Sequence, residues 1–149
     1  MALPVLKIKK LTEKAQLPLK MTKGAAGLDL FVSENVTLFP RRVTKVRTGL
    51  AVSIPKGYHG ELHIRSSWGK RGIRLANCTG IVDSDYRGEV IMYLNNDNSS
   101  DTFWLKEGTR VAQLILVKDP PFSIKEVETL DETERGEGGF GSTDEKEKK

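Results

Sequence analysis

The chain has 149 residues, 38% hydrophobic and 30% charged, with a formal net charge of +4. That is one domain of ordinary size, able to bury a core, and no apolar run is long enough to cross a bilayer. A lone cysteine, Cys78, excludes an internal disulfide framework, and with only two histidines no His/Cys cluster has structural-zinc spacing.

The N-terminal MALPVLKIKKL has too short an apolar stretch and no small-residue cleavage site, so no signal peptide is expected. From there, short runs of β-branched and apolar residues recur in chain order: VLKIKKL, GLDLFV, VTLF, VTKVRTGLAVSI, YHGELHI, EVIMYL, TFWL, RVAQLILV and SIKEVETL. Pro40, Pro55-Lys56-Gly57, Asp85–Gly88, Asn95–Asp101 and Pro120-Pro121 separate them. Many short strands with such punctuation predict an all-β sandwich or barrel. No stretch sustains a 3.6-residue period, so helix is confined to one short turn after Ser66-Ser67, with a serine as N-cap. The last strand is expected to end near Leu130. A glycine-rich arm over 131–143 and a disordered charged tail over 144–149 follow the β domain of 1–130. Basic residues are spread along the chain without interleaved aromatics, so stable nucleic-acid binding is not expected.

Four segments hold side chains suited to chemistry. Arg65-Ser66-Ser67-Trp68-Gly69 follows a strand and opens a helical turn, which serves either as a plain cap or as an anion site built on free N–H groups. Asn77–Gly88 reads as a β-hairpin entered through Ile81-Val82 and left through Glu89-Val90-Ile91. Asp85 has an ordinary turn role, whereas Asp83, at the mouth of a buried strand, is placed to activate a water. Tyr86 is either core or pocket wall, and Cys78 reads as a small packed residue rather than a nucleophile. Gln113, inside the apolar run RVAQLIL, is either a core anchor or a ligand contact, because a buried amide needs partners. The stretch RGEGGFGST competes between linker and nucleotide holder. Its glycines admit close backbone approach to an anion, Phe140 offers a stacking face, and Arg135 a fork of donors for phosphate.

In this order the segments resemble the five motifs of the trimeric deoxyuridine triphosphatases: AAGLDLF (Ala25–Phe31), RSSWG (Arg65–Gly69), GIVDSDYRG (Gly80–Gly88), RVAQLIL (Arg110–Leu116) and RGEGGFGST (Arg135–Thr143). The resemblance implies a jelly-roll-like homotrimer whose active sites each draw on three chains. It implies hydrolysis of dUTP to dUMP and pyrophosphate with Mg²⁺, which keeps uracil out of DNA and supplies dUMP for thymidylate synthesis. In that reading Asp83 activates the water that attacks the α-phosphorus, and Tyr86 lies beneath the deoxyribose. The Asn77 side chain and backbone groups from Asn77 to Asp83, including Gly80 and Val82, read the uracil edge, while Phe140 stacks on the base. Arg65, Ser66, Ser67, Gln113, Arg135, Gly141, Ser142 and Thr143 contact phosphates, and Asp29 supports them from behind. Mg²⁺ is held mainly by the substrate's own phosphate oxygens, with no dedicated protein ligand cluster.

Two positions depart from the family's usual pattern: Ser67 stands where glycine is commonest and Leu28 where an aromatic is common. Neither removes a proposed chemical group. A dCTP deaminase of the same fold lacks this glycine arm and the Asp-x-Asp-Tyr segment, and a non-enzymatic interaction protein would not need Asp83, Tyr86, Gln113 and Arg135 together. The expected location is intracellular, cytoplasmic or nuclear.

Overall fold

A computed structural model describes residues 3–142 of the chain. Within them lie ten strands and one helix: β1 (Lys7–Lys10), β2 (Leu28–Phe31), β3 (Val36–Leu38), β4 (Val43–Ser53), β5 (Tyr58–Ile64), α1 (Ser66–Gly69), β6 (Ile73–Leu75), β7 (Gly80–Val82), β8 (Glu89–Asn96), β9 (Phe103–Leu105) and β10 (Arg110–Lys118). They form two four-stranded sheets, ordered β1-β4-β8-β6 and β2-β10-β5-β7, and the small pair β3-β9. Every strand pairing is antiparallel. Among the described residues, no helix is long and apolar enough to cross a membrane.

Period-2 alternation sends one face of each sheet inward. In β8, Val90, Met92, Leu94 and Asn96 are buried; in β5, Gly60 and Leu62 are buried while His59, Glu61 and His63 face out. Leu30, Leu62 and Leu114 of one sheet join Val46, Leu50, Met92 and Leu94 of the other in a single core. Each such side chain contributes about 1.5–3 kcal/mol on full burial. Within β8 Asn96 is the polar exception, and its amide is satisfied by the carbonyls of Leu38 (3.0 Å) and Asp101 (2.7 Å). The all-β expectation with one short helix agrees with this architecture.

The structure corrects three local expectations. β7 and β8 do not pair with each other: β7 lies beside β5, and β8 between β4 and β6, so Asp83–Gly88 crosses from one sheet to the other. A hairpin would have put both strands in one sheet; here both have better partners elsewhere. The residue before α1 is Arg65, in extended conformation and without a side-chain cap bond, so neither serine caps the turn. The arginine is used elsewhere, as described below. Finally, SIKEVETL is not a strand. β10 ends at Lys118, and Phe122, Ile124 and Leu130 are 85%, 91% and 84% exposed. Its apolar spacing suits a strand, but a strand needs a neighbour for its backbone donors and acceptors, and among the described residues no sheet edge is paired with it. β6 was unread because Ile-Arg-Leu is too short to carry a period.

Candidate active site

Three groups of predicted site residues occupy three different places. The first is a cleft of about 300 Å³ between the end of β7 and the start of β8. Asn77, Gly80, Val82, Asp83 and Tyr86 line it together, with Leu62, Ile81 and the start of β8 completing the wall. β6 reaches it through a tight turn in which Cys78 adopts φ +63° and Thr79 N–H donates to the Asn77 carbonyl at 2.7 Å. Cys78 is exposed there rather than packed, which corrects the sequence reading. Pairing of β7 with β5 then delivers Asp83, exposed, at the strand's end.

The crossing segment is held closed by its own bonds. Tyr86 N–H donates to the Asp83 carbonyl at 3.1 Å. The Arg87 guanidinium donates to the carbonyls of Ser84 (2.7 Å) and Tyr86 (2.8 Å). The Tyr86 hydroxyl donates to the Glu89 carbonyl at 2.9 Å, which turns the ring onto the cleft wall rather than into the core. Arg87 escaped the sequence reading because an arginine in a turn looks merely solvated.

The second group gathers around Asp29 on β2, 8% exposed. Its Oδ2 lies 3.2 Å from Arg65 Nε and 3.2 Å from Arg110 Nη1. Arg65 Nη1 donates to the Arg110 carbonyl at 3.1 Å, and the buried Trp68 indole donates to the same oxygen at 3.0 Å. Trp68 meets the Phe103 ring edge-on at 6.0 Å, and Arg71 lies 4.8 Å from the Trp68 centroid, so the turn bearing Ser66 and Ser67 is pinned. Ser66 and Ser67 stay exposed. Gln113 sits in β10 with Asp29 opposite on one side and His63 on the other, half-buried rather than a core anchor. One carboxylate thus orients two guanidiniums beside an amide and two hydroxyls, a donor array suited to phosphate oxygens. Arg110 belongs to this array although only its place at the start of a strand hinted at it.

The third group is the arm. Its backbone bonds are local, Gly138 N–H to the Arg135 carbonyl (3.1 Å) and Ser142 N–H to the Gly139 carbonyl (3.0 Å), and Phe140 is fully exposed at φ +50°. Arg135, Gly141 and Ser142 are described; Thr143 and the tail 144–149 lie outside the described residues. Among the described residues, neither the arm nor Arg65, Ser66, Ser67 or Gln113 lines the Asp83 cleft.

Two clusters of shifted titrating groups lie near these sites. Burial pushes the Glu89 carboxyl up, but donors from Arg47 and the Gly49 amide outweigh it and hold the group below the usual carboxylate range. On the outer face of β5, the Asp119 carboxylate chiefly raises His59, while bonds from His63 and His59 lower Glu61. Among the described residues, no three His, Cys, Asp or Glu side chains converge as a metal cage.

A dUTPase family model matches residues 13–144. A deoxyuridine 5'-triphosphate nucleotidohydrolase of Zymomonas mobilis is 45% identical over 141 residues, covering 93% of this chain and 96% of that protein. One from Nautilia profundicola is 45% identical over 139 residues, covering 93% and 97%. Among solved structures, a dUTPase of Staphylococcus bacteriophage 80alpha with dUpNHpp superposes with a TM-score of 0.87 at 30% identity, over 93% of this chain and 98% of the other.

Proposed function

The chain belongs to the dUTPase family, and on that premise we propose that it hydrolyses dUTP to dUMP and pyrophosphate. The observation that carries the proposal is the cleft in which Asn77, Gly80, Val82, Asp83 and Tyr86 meet. The tight turn through Asn77–Gly80 presents backbone groups and one amide to the edge of a uracil. Cytosine would leave a donor facing a donor, at about 1–3 kcal/mol each. Tyr86 underlies the deoxyribose, and Asp83 takes a proton from the water that attacks the α-phosphorus.

Arg65 and Arg110, oriented by Asp29, contact phosphate oxygens together with Ser66, Ser67 and Gln113. Arg135, Gly141, Ser142 and Thr143 close on the terminal phosphates, and Phe140 stacks on the base. Phosphoryl transfer asks chiefly for positioning and charge neutralisation, which such donors supply. Among the described residues no side-chain cluster would hold Mg²⁺, so the hard oxygens of the triphosphate itself would mainly carry it, and when bound it would neutralise charge and orient the phosphates.

Neither the Asp29 array nor the described part of the arm lines the Asp83 cleft, which supports a site shared between subunits of a homotrimer. One chain supplies the cleft, a second the Asp29 array and a third the arm of 131–143. The test is pyrophosphate release from dUTP with Mg²⁺, wild type beside Asp83→Asn, with subunit number measured by light scattering. Absence of release from the wild type would overturn the proposal.

A further inference from the structure

We infer that Glu89 is a positioning residue for the sugar side of the Asp83 cleft: seated in a bulge of β4 by Arg47 and the Gly49 amide, it fixes the carbonyl on which the Tyr86 hydroxyl rests. The inference rests on the proposed role of Tyr86 as the platform beneath the deoxyribose.

β4 and β8 run in even register from Val43 opposite Asn95 to Arg47 opposite Ile91, then slip so that Ala51 faces Glu89. Thr48, Gly49 and Leu50 therefore bulge opposite Val90. The bulge is built to hold something. The buried Thr48 hydroxyl donates to the Val90 carbonyl at 2.7 Å, and Gly49 takes φ +66°, a conformation suited to glycine. That turns the Gly49 N–H toward Glu89 Oε1 at 2.8 Å. Arg47 donates to Glu89 Oε2 through Nε (2.9 Å) and Nη2 (2.6 Å). Three donors thus converge on a carboxylate whose side chain is only 8% exposed.

Burying a carboxylate is costly even when paired, and an apolar replacement of similar volume is often no less stable. The arrangement is better explained by geometry than by stability. Glu89 is the first residue of β8, where the chain arrives from the crossing segment. Its backbone carbonyl accepts the Tyr86 hydroxyl at 2.9 Å. The intervening Gly88 leaves room for the ring: a Cβ there would stand 2.6 Å from Tyr86 Cζ and 3.0 Å from Cε2. The ring's pose has two determinants, a bare Cα at position 88 and an anchored carbonyl at position 89.

The experiment compares kcat/KM for dUTP and UTP in wild type, Glu89→Ala, Arg47→Ala, Tyr86→Phe and the double variant Glu89→Ala/Tyr86→Phe. It also follows the three tyrosines by ¹³C NMR in the free protein. Glu89→Ala is expected to lower the dUTP/UTP ratio on the order of tenfold, chiefly through KM for dUTP. Arg47→Ala, altered at a half-exposed side chain, gives a smaller loss in the same direction and keeps the inference testable if Glu89→Ala fails to fold. The double variant should be no worse than Tyr86→Phe, since both act through one hydroxyl. In the free protein the Tyr86 resonances should shift while those of Tyr58 stay in place. An unchanged ratio, additive losses, or an unmoved Tyr86 signal would each overturn the inference. A wild type without dUTP hydrolysis defeats the parent reading instead, and the NMR comparison still decides whether Glu89 positions Tyr86.

Discussion

Asp29 Oδ2 stands 3.2 Å from Arg110 Nη1, and the same oxygen is 3.2 Å from Arg65 Nε, so a single, nearly buried carboxylate holds two guanidiniums on adjoining strand ends. Asp29→Asn keeps the shape and removes the charge. The two cations then repel, and each is free to turn away from substrate. We expect kcat/KM for dUTP to fall on the order of tenfold to a hundredfold. Stability should drop by about 1–3 kcal/mol, discounted for the partial exposure of both arginines. Steady-state kinetics and thermal melts measure the two effects separately.

Asp83→Asn is expected to lower kcat by roughly 10²–10⁴-fold, the range for loss of a general base. Binding of a non-hydrolysable dUTP analogue, followed by calorimetry, should change little. Unchanged turnover would remove Asp83 from the chemistry.

Removal of the chain after Leu130 should leave the fold intact, because β10 already ends at Lys118 and the arm's backbone bonds are its own. Circular dichroism and melting temperature should match the full chain while hydrolysis is nearly lost. Full activity in the shortened protein would refute the role proposed for the arm.

Gly27 lies against Gln113. A Cβ at position 27 would come within 2.8 Å of Gln113 Oε1, 3.1 Å of Gln113 Cβ and 3.2 Å of Ile115 Cγ1. Gly27→Ala should therefore push Gln113 out of the phosphate array, at about 1–3 kcal/mol in stability for the overpacking, with a rise in KM for dUTP. Gln113→Ala combined with Gly27→Ala should recover part of the lost melting temperature, since the closest contact, to Gln113 Oε1, is then removed while those to the Cβ of residue 113 and to Ile115 remain.

His59 donates through Nδ1 to the Asp119 carboxylate at 2.5 Å and is raised above its ordinary value of 6.5, chiefly by that carboxylate. A raised folded-state value contributes stability that is fully present below pH 6.5 and is lost as pH rises through the folded value. Glu61, lowered first by the His63 bond, contributes in the opposite sense: its share is present above its ordinary 4.5 and fades as pH falls through the folded value. Melting temperature should thus be highest between about 4.5 and 6.5 as far as this cluster is concerned. Asp119→Asn should flatten the decline above pH 6.5, as thermal melts across pH would show.

The strands were legible where a run was long enough to carry alternation. EVIMYL and YHGELHI alternate, and β8 and β5 bury every second residue, whereas the near-continuous apolar run RVAQLILV marks a strand without naming its inward face: β10 buries Val111, Ala112 and Leu114. Ile73–Leu75 was illegible because three residues hold no period, and SIKEVETL misled because its spacing is a strand's while no edge among the described residues pairs with it. The candidate site was legible as residue types: a carboxylate at a strand end, a buried-run glutamine, an arginine before a serine pair. Arg110 and Glu89 were not, since each takes its role from partners 81 and 42 residues away, and Arg87 was not, since its bonds to Ser84 and Tyr86 depend on how the crossing segment folds.

Composition, order and spacing by themselves determined the all-β class and the placing of Asp83 at a strand's mouth, while the family came from the resemblance of five motifs to known sequences. Only the tertiary structure decided that β7 and β8 part into different sheets, that Asp29 binds two arginines at once, and that a bulge in β4 grips Glu89. The reason is physical. Local pattern sets which face of a strand is apolar, but pairing and register come from competition among all strands for the same edges, and that competition has no local record.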